Sequence, residues 1–503
     1  MTAPDLTREE EKKNTMNLYL IGHDYRYAVE QMLLTLFPDE RPVYPDGRPT
    51  GDRVELRLMS GAKVTTATCV LVYQGRTANG RTSVPNSELA DPAEKDRRLQ
   101  GAVKRAFYRA AMGIGLPHRP WGMLTGVRPG KLMTPLLAQG MDDTQATRYF
   151  ERHYDVAPAR AALVVRTAHA TLRAMDALGE KDVCLYVGIP FCPTRCAYCS
   201  FVSQSVEKSM ALVPEFLQAL AREIAATAEA VQRAGLRIVS LYIGGGTPTT
   251  LSARQLDALC TQLEAAFDLS ALREFTVEAG RPDTITADKL QVLRAHRVDR
   301  ISVNPQTLDD RVLETIGRRH TAQDIYDALR LVRATGGFAV NMDLIAGLPG
   351  DTPDGFRATL EQVLALAPEN VTVHTLSRKR GADLMTQDAP IPDGAAVGEM
   401  LDFAGSALDA AGYAPYYLYR QKFMSGGFEN VGWTRPGQEN LYNICIMEEL
   451  CSILAMGGGA STKLVRPNGG RLERHIDPKY PTEYIANIDR ICAAKAELEA
   501  FFQ

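Results

Sequence analysis

Apolar and polar positions alternate with one rhythm before about residue 180 and another after it. Residues 16–22 (MNLYLIG) form a short apolar run that reads as a strand, and YRYAVEQMLLTLF carries helical spacing behind it. RVELRLMS and KVTTATCVLVYQ alternate around a Ser-Gly turn and predict two more strands. Three helical stretches follow: EKDRRLQGAVKRAFYRAAMG, TRYFERHY and ALVVRTAHATLRAM. Between them lies PHRPWGMLTGVRPGKL, rich in Gly and Pro and basic. The polar ALGEKD marks a boundary ahead of Cys184.

From Cys184 short apolar runs alternate with amphipathic helices. CLYVGIP, IVSLYIGGG, EFTVEAG, RISVNPQ, AVNMDLIAGLP and NVTVHTLS read as strands. In the first helix between them, Phe216, Leu217, Leu220 and Ile224 share one face. Consecutive βα units predict a parallel sheet with right-handed crossovers. An open doubly wound sheet and a partial barrel share that rhythm, so periodicity does not choose between them. After residue 395 a helix leads to Tyr413, Tyr416, Tyr417 and Tyr419, a run that suits a strand packing both faces. A Gly-rich region and a closing helix follow. The expected divisions are a charged, disordered leader (1–15), an α+β accessory domain (16–178), a βα domain (179–395) and a mixed, helical C-terminal domain covering the substrate (396–503).

Composition narrows the class. The chain has 503 residues, 45% hydrophobic and 23% charged, ordinary for a globular protein. Lys and Arg number 57 against 60 Asp and Glu, a net charge of −3. That balance argues against bulk attraction to nucleic acid or an anionic membrane. No apolar run approaches the roughly 18 residues of a spanning helix. The apolar stretch from Met16 to Gly22 lacks a following cleavage site, so a cytoplasmic location is expected. Nine cysteines, an odd number, favour reduced thiols. Cys260 and Cys451 lie among apolar residues, where buried cysteine is common. Cys445 and Cys451 offer two ligands without clear partners.

The chemistry concentrates in GIPFCPTRCAYCSF, residues 188–201. Cys192, Cys196 and Cys199 stand on the loop after the first βα strand. Three thiolates can hold three irons of a [4Fe–4S] cube and leave the fourth iron open to chelate a small molecule. A closed zinc site wants four ligands, and no fourth Cys or His follows at suitable spacing. Gly244-Gly245-Gly246-Thr247-Pro248 closes the second strand, where glycines let the backbone approach a ligand.

This cysteine spacing, with Tyr198 before the third cysteine, resembles the radical S-adenosylmethionine (SAM) superfamily. The resemblance implies a partial (βα)6 barrel with the cluster loop at the C-terminal end of a strand. It also implies that the open iron binds SAM, whose reductive cleavage gives a 5′-deoxyadenosyl radical. YVGIPFC, IGGGTPT, VEAG, NPQTL and MDLIAGLPG, from Tyr186 to Ser377, are similar to the oxygen-independent coproporphyrinogen III oxidase group. By that similarity Tyr186 and Tyr198 would lie beside SAM, and Gly245, Gly246 and Thr247 would hold its methionine part. Glu278, Gln306, Arg318 and Asp343 match SAM-binding polar positions. Alternatively, Arg318 belongs to a solvated basic run, Arg318-Arg319-His320, and Asp343 caps a turn. The flanks resemble a long branch of the same group.

Two departures stand out. Phe201 replaces a fourth cysteine of the better-known oxidase, and the H-N-x-x-Y-W pattern of the heme-handling branch is absent. The implied function is oxidative decarboxylation of coproporphyrinogen III propionates to vinyls, in porphyrin and heme biosynthesis. The alternatives are heme binding or delivery on the same scaffold, and radical chemistry on another carboxylated substrate. The implied substrate carries four propionates, for which Arg378, Lys379, Arg380, Arg420 and Lys422 are candidate cations. The implied electron donor is a one-electron protein such as flavodoxin or ferredoxin.

Overall fold

In the computed structural model, the described residues are 14–194, 196–199, 204–205, 209–377, 390–421, 425–466 and 472–502. The chain divides into two compact units, Met1–Gly126 with Thr147–Ala161, and Val127–Ala146 with Ala162–Gln503.

The first unit is built on a five-stranded sheet in the order β2-β1-β3-β4-β5. The strands are β1 (Thr15–Ile21), β2 (Arg41–Val43), β3 (Arg53–Ser60), β4 (Val64–Tyr73) and β5 (Arg76–Pro85). β1 runs parallel to β2 and β3, whereas β3, β4 and β5 are antiparallel neighbours. Alternate residues of the strands, including Leu18, Val54, Leu56 and Leu71, face a core completed by Val29, Met32 and Leu33 of one helix and Val103 and Phe107 of another. The second helix, Pro92–Gly113, lies directly on β5. A Cβ on Gly80 of β5 would sit 1.9 Å from the Ala106 carbonyl oxygen, so only glycine permits that approach.

The second unit carries an eleven-stranded sheet in the order β14-β15-β13-β12-β11-β10-β9-β6-β16-β17-β18. Its centre is the six-strand series read from the sequence: β6 (Asp182–Ile189), β9 (Arg237–Gly245), β10 (Glu274–Glu278), β11 (Arg300–Ser302), β12 (Ala339–Ala346) and β13 (Asn370–Thr375). All adjacent pairs in this series are parallel, and helices connect them. One face of β10 to β13 is apolar, with Phe275, Val277, Ile301, Val340, Met342, Val371 and Val373 buried, and the other carries polar side chains such as Glu278, Ser302, Asp343 and His374. Helix starts are defined chemically. Ser252 with Gln255 and Thr321 with Asp324 form capping boxes, and Thr352 caps the helix Pro353–Ala365. This is the α/β partial barrel that the βα rhythm allowed.

The C-terminal region is woven into the same sheet. β15 (Glu429–Thr434) adds antiparallel to β13, and β14 (Ala414–Arg420) adds to β15. The tyrosine run is therefore a strand, as its pattern suggested. β16 (Ser452–Gly457) pairs parallel with β6 at the other end, followed by β17 (Ser461–Leu464) and β18 (Glu473–Ile476). Two short strands, β7 (Phe191–Cys192) and β8 (Gln204–Ser205), form a separate pair in the cysteine loop. Among the described residues no helix is long and apolar enough to cross a membrane.

A buried ionic cluster fixes β16 to the helix Val213–Ala234. Glu223 is fully buried, accepts from the Gly457 amide (2.9 Å) and the Tyr484 hydroxyl, and pairs with Lys495 Nζ at 2.6 Å. Lys495 also donates to the Ala455 carbonyl (2.7 Å). Removing one partner of a buried pair leaves an uncompensated charge. Lys495→Met is expected to lower unfolding free energy by about 3–5 kcal/mol; a urea midpoint within error of wild type contradicts this account.

Candidate active site

The cysteine loop begins where β6 ends. Cys192 and Cys196 are buried and Cys199 is half-buried, and all three line one cavity of about 380 Å3 with Tyr198. The cavity lies at the C-terminal ends of the parallel strands, since Gly245 and Gly246, Glu278, Gln306, Asp343 and His374 line it too. The loop is anchored by the Ala197 amide on the Ile316 carbonyl (3.1 Å) and by Ala197 packing among Leu313, Ile316 and Leu348.

The glycine turn is a packing requirement. Gly245 has φ +111, a conformation that L side chains rarely adopt. A Cβ on Gly246 would sit 2.5 Å from the Phe191 carbonyl oxygen and 3.0 Å from Cys192 Sγ. The turn thus lies against the first cysteine, with the Gly246 amide on Ile189 O and the Thr247 amide on Phe191 O, both 2.8 Å. Thr247 Oγ1 is 3.4 Å from Cys192 Sγ.

Two guanidinium groups face the thiols. Arg318 is buried and donates to the Tyr198 hydroxyl (2.9 Å), the Asn304 carbonyl (2.9 Å) and the Gly280 carbonyl (3.3 Å). The alternative of a solvated basic run is set aside, because His320 is buried as well. Arg281 donates to Cys196 Sγ (3.0 Å) and to the Thr194 carbonyl (2.8 Å). Burial pushes the Cys196 thiol up, but Arg318 and Arg281 outweigh it, and the pKa falls below its ordinary value. Burial and the same two arginines hold His320 down at about 3, so its imidazole is neutral.

The opposite wall is acidic and aromatic. The Tyr242 hydroxyl donates to Glu278 Oε1 (2.6 Å), and burial raises the Glu278 carboxyl to about 7, with the Asp343 charge adding to the shift. Asp343 sits inside β12 opposite Thr372 and does not cap a turn. It accepts from Asn341 Nδ2 (2.8 Å) and lies 3.9 Å from His374 Nε2. Burial opposes its charge, but these partners hold its carboxyl below the usual range. Gln306 has φ 67, and its backbone pairs with β12 through the Asp343 carbonyl (2.9 Å) and the Ile345 amide (3.0 Å). Tyr186 does not line the cavity. Its ring stacks 6.1 Å from Tyr242 and 6.0 Å from Tyr442, one layer behind.

Sequence reasoning missed Arg281, Tyr242, Asn304 and His374. Arg281 and Asn304 follow β10 and β11, His374 is the penultimate residue of β13 and Tyr242 lies in the last half of β9, so position near a strand's C-terminal end was the available signal. Tyr417 and Tyr419 of β14 also line the cavity. The strand reading of the tyrosine run holds, and two of its rings additionally face the site. Arg420 is buried and donates to the Gly427 carbonyl (2.8 Å). Burial lowers its pKa to about 10. Arg378, Lys379, Arg380 and Lys422 lie outside the described residues.

The donor set fits an iron–sulfur cluster. Three soft thiols share one cavity, two buried guanidinium groups offset anionic charge, and a glycine turn leaves room beside Cys192. A family profile described as the radical SAM superfamily matches residues 186–363. The chain belongs to that superfamily, within its oxygen-independent coproporphyrinogen III oxidase group. The oxygen-independent coproporphyrinogen-III oxidase-like protein HemZ of Bacillus subtilis is 40% identical over 390 residues, covering 76% of this chain and 78% of that protein. The heme chaperone HemW of the same organism is 32% identical over 250 residues, covering 49% and 64%. Among solved structures, coproporphyrinogen III oxidase (HemN) of Escherichia coli, described as a radical SAM enzyme, aligns with TM-score 0.50 and 25% identity. It covers 64% of this chain and 72% of that one. The cofactors are one [4Fe–4S] cluster with one iron free of protein ligands, and SAM.

Folding favours protonated Glu278. The wild type is therefore stabilised below the ordinary carboxyl value of 4.5 and loses that stability as pH rises to about 7. Glu278→Gln should remove this component. The wild-type-minus-variant stability is expected to fall by about 2–3 kcal/mol between pH 4.5 and 7 and then to level off. Parallel pH profiles for the two proteins contradict the buried carboxyl.

Proposed function

We propose that the chain is a cytoplasmic radical SAM enzyme that oxidatively decarboxylates coproporphyrinogen III at two propionates, giving protoporphyrinogen IX. The observation that carries this reading is the three-thiol cavity at the strand ends, walled by Arg281 and Arg318 on one side and by Glu278 and Asp343 on the other. HemZ and HemN, whose names refer to this oxidation, support the substrate. When bound, the cluster and SAM supply the 5′-deoxyadenosyl radical that takes one hydrogen atom from a propionate. That propionate then loses CO2 and one electron and becomes a vinyl group.

The chain's own residues bind, orient and screen. Arg318 and Gln306 offer donors to ribose hydroxyls and a carboxylate, and Glu278 and the glycine turn receive an ammonium group. Tyr417 and Tyr419 cover the cavity with ring faces suited to an apolar macrocycle. Arg378, Lys379 and Arg380, which come after β13 in the sequence, are the candidate partners of the propionates. The electron donor in this reading is a one-electron protein such as flavodoxin or ferredoxin.

The similarity to HemW favours a second reading, heme binding on this scaffold. One experiment separates the two. Anaerobic protein is incubated with SAM, a reductant and coproporphyrinogen III, and the products are weighed by mass spectrometry. Loss of two CO2 per macrocycle supports the enzyme. No decarboxylation, together with stoichiometric heme uptake, supports the carrier.

Replacing Cys192, Cys196 or Cys199 by Ala should abolish both the brown cluster absorption and SAM cleavage. Cys260→Ala, buried in a helix away from the cavity, should leave both intact. Iron and sulfide analysis reads the result, and a variant at one of the first three positions that keeps the full cluster sinks the assignment.

Arg318→Ala should weaken SAM binding about tenfold or more, the worth of one lost charged hydrogen bond. Calorimetric titration of cluster-replete protein checks this. Unchanged affinity at normal iron content removes Arg318 from the SAM site.

A further inference from the structure

A second set of thiols lies outside the cavity. Cys184 is on β6, Cys445 is on the helix Leu441–Glu448, and Cys451 immediately precedes β16. Their sulfur atoms all lie within 4.8 Å of one another, with Cys184 and Cys451 at 3.6 Å. Their exposures are 0%, 0% and 8%. None of the three lines the active-site cavity.

The fold brings them together by pairing that is remote in sequence. β16 runs parallel beside β6, which sets Ile453 next to Cys184. The helix ends at Glu449, whose left-handed φ of 56 reverses the chain, and the Leu450 amide closes the turn on the Cys445 carbonyl (3.3 Å). Cys451 is thereby returned towards Cys445. Around the sulfurs pack Tyr442, Ile453, Leu178, Leu441 and Leu450. The surroundings are apolar, and the ligand set contains thiols alone.

The spacing selects what the set could hold. One ion bonded to thiolates at about 2.3 Å puts their sulfurs about 3.8–4.0 Å apart. A [4Fe–4S] cube carries each thiolate on a separate iron and spreads them farther. A disulfide needs sulfurs at about 2.05 Å. Cys184 and Cys451, at 3.6 Å, are close to the single-ion spacing, and no pair exceeds 4.8 Å, short of a cube's spread and far beyond a disulfide bond. Thiolates without imidazole or carboxylate select soft, thiophilic cations.

We propose that Cys184, Cys445 and Cys451 form a second metal site that holds one thiophilic cation of low coordination number, Cu+, separate from the radical SAM cluster. Thiols bind such an ion as thiolates, so protons are released as the metal binds. The ion joins β6, β16 and the intervening helix at one point.

The full chain, purified anaerobically, is offered Zn2+ in one arm and Cu+ in the other, then desalted against a weak chelator. About one equivalent of Cu+ should remain besides the cluster iron, whereas Zn2+, which wants a fourth ligand, should wash out. The Cys192→Ala/Cys196→Ala/Cys199→Ala chain should retain Cu+ too. Cys445→Ser and Cys451→Ser should each lose it while keeping full cluster iron, which certifies that they fold. In a measurement that needs no variant, loading should protect Cys184, Cys445 and Cys451 from alkylation in peptide mapping. Three outcomes overturn the site: Cu+ not retained and no protection on loading, retention unchanged in folded Ser variants, or a metal-free chain two daltons light with the trio disulfide-linked.

Discussion

The site depends on the register of six parallel strands. Parallel pairing sets Ile189 beside Gly245, Glu278 beside Ser302 and Asp343 beside Thr372. Every strand therefore ends on the same rim, and residues remote in sequence meet over one cavity. A one-residue slip in any strand would send its rim side chain to the opposite face. The apolar faces packed by the connecting helices forbid that slip, so the core specifies the chemistry indirectly.

Charge within the cavity is divided. Arg281 and Arg318 stand by the thiols, and Glu278 and Asp343 occupy the facing strands. A zwitterionic ligand meets each of its charges on the appropriate side, and the low-dielectric surroundings strengthen both contacts. The division groups like charges, so Asp343 adds to the upward shift of Glu278. Glu278 and Asp343, the two carboxyls on one wall, titrate in opposite directions, because Asp343 has Asn341 and His374 as partners and Glu278 has chiefly burial.

Much of this was legible in the chain. The six strands were read from their apolar runs, and Cys192, Cys196 and Cys199 from spacing alone. Gly245 and Gly246 were read from the turn that ends a strand. Arg318 was ambiguous because local composition cannot distinguish a solvated basic run from a guanidinium buried by residues elsewhere in the chain. Arg281 and His374 carry no mark beyond their place near a strand's C-terminal end, since their meaning comes from which strands meet over the cavity. The trio of Cys184, Cys445 and Cys451 was illegible for the same reason. Two of its members were visible as unpartnered ligands, but the third lies on the far side of the barrel sequence. Strand pairing at long sequence distance, here β16 with β6, is not written in any window of periodicity.

That pairing has a consequence for how the protein is made. The strands that flank the six-strand series, β14 and β15 at one end and β16 at the other, all come from residues after 413. When the ribosome has delivered the barrel strands, β6 and β13 still present open edges, and the layer holding Tyr417 and Tyr419 has not been made. The cysteine loop is thus complete in sequence while its surroundings remain unsealed. The open edges make that intermediate prone to pair with other chains, a hazard that docking of the final strands removes.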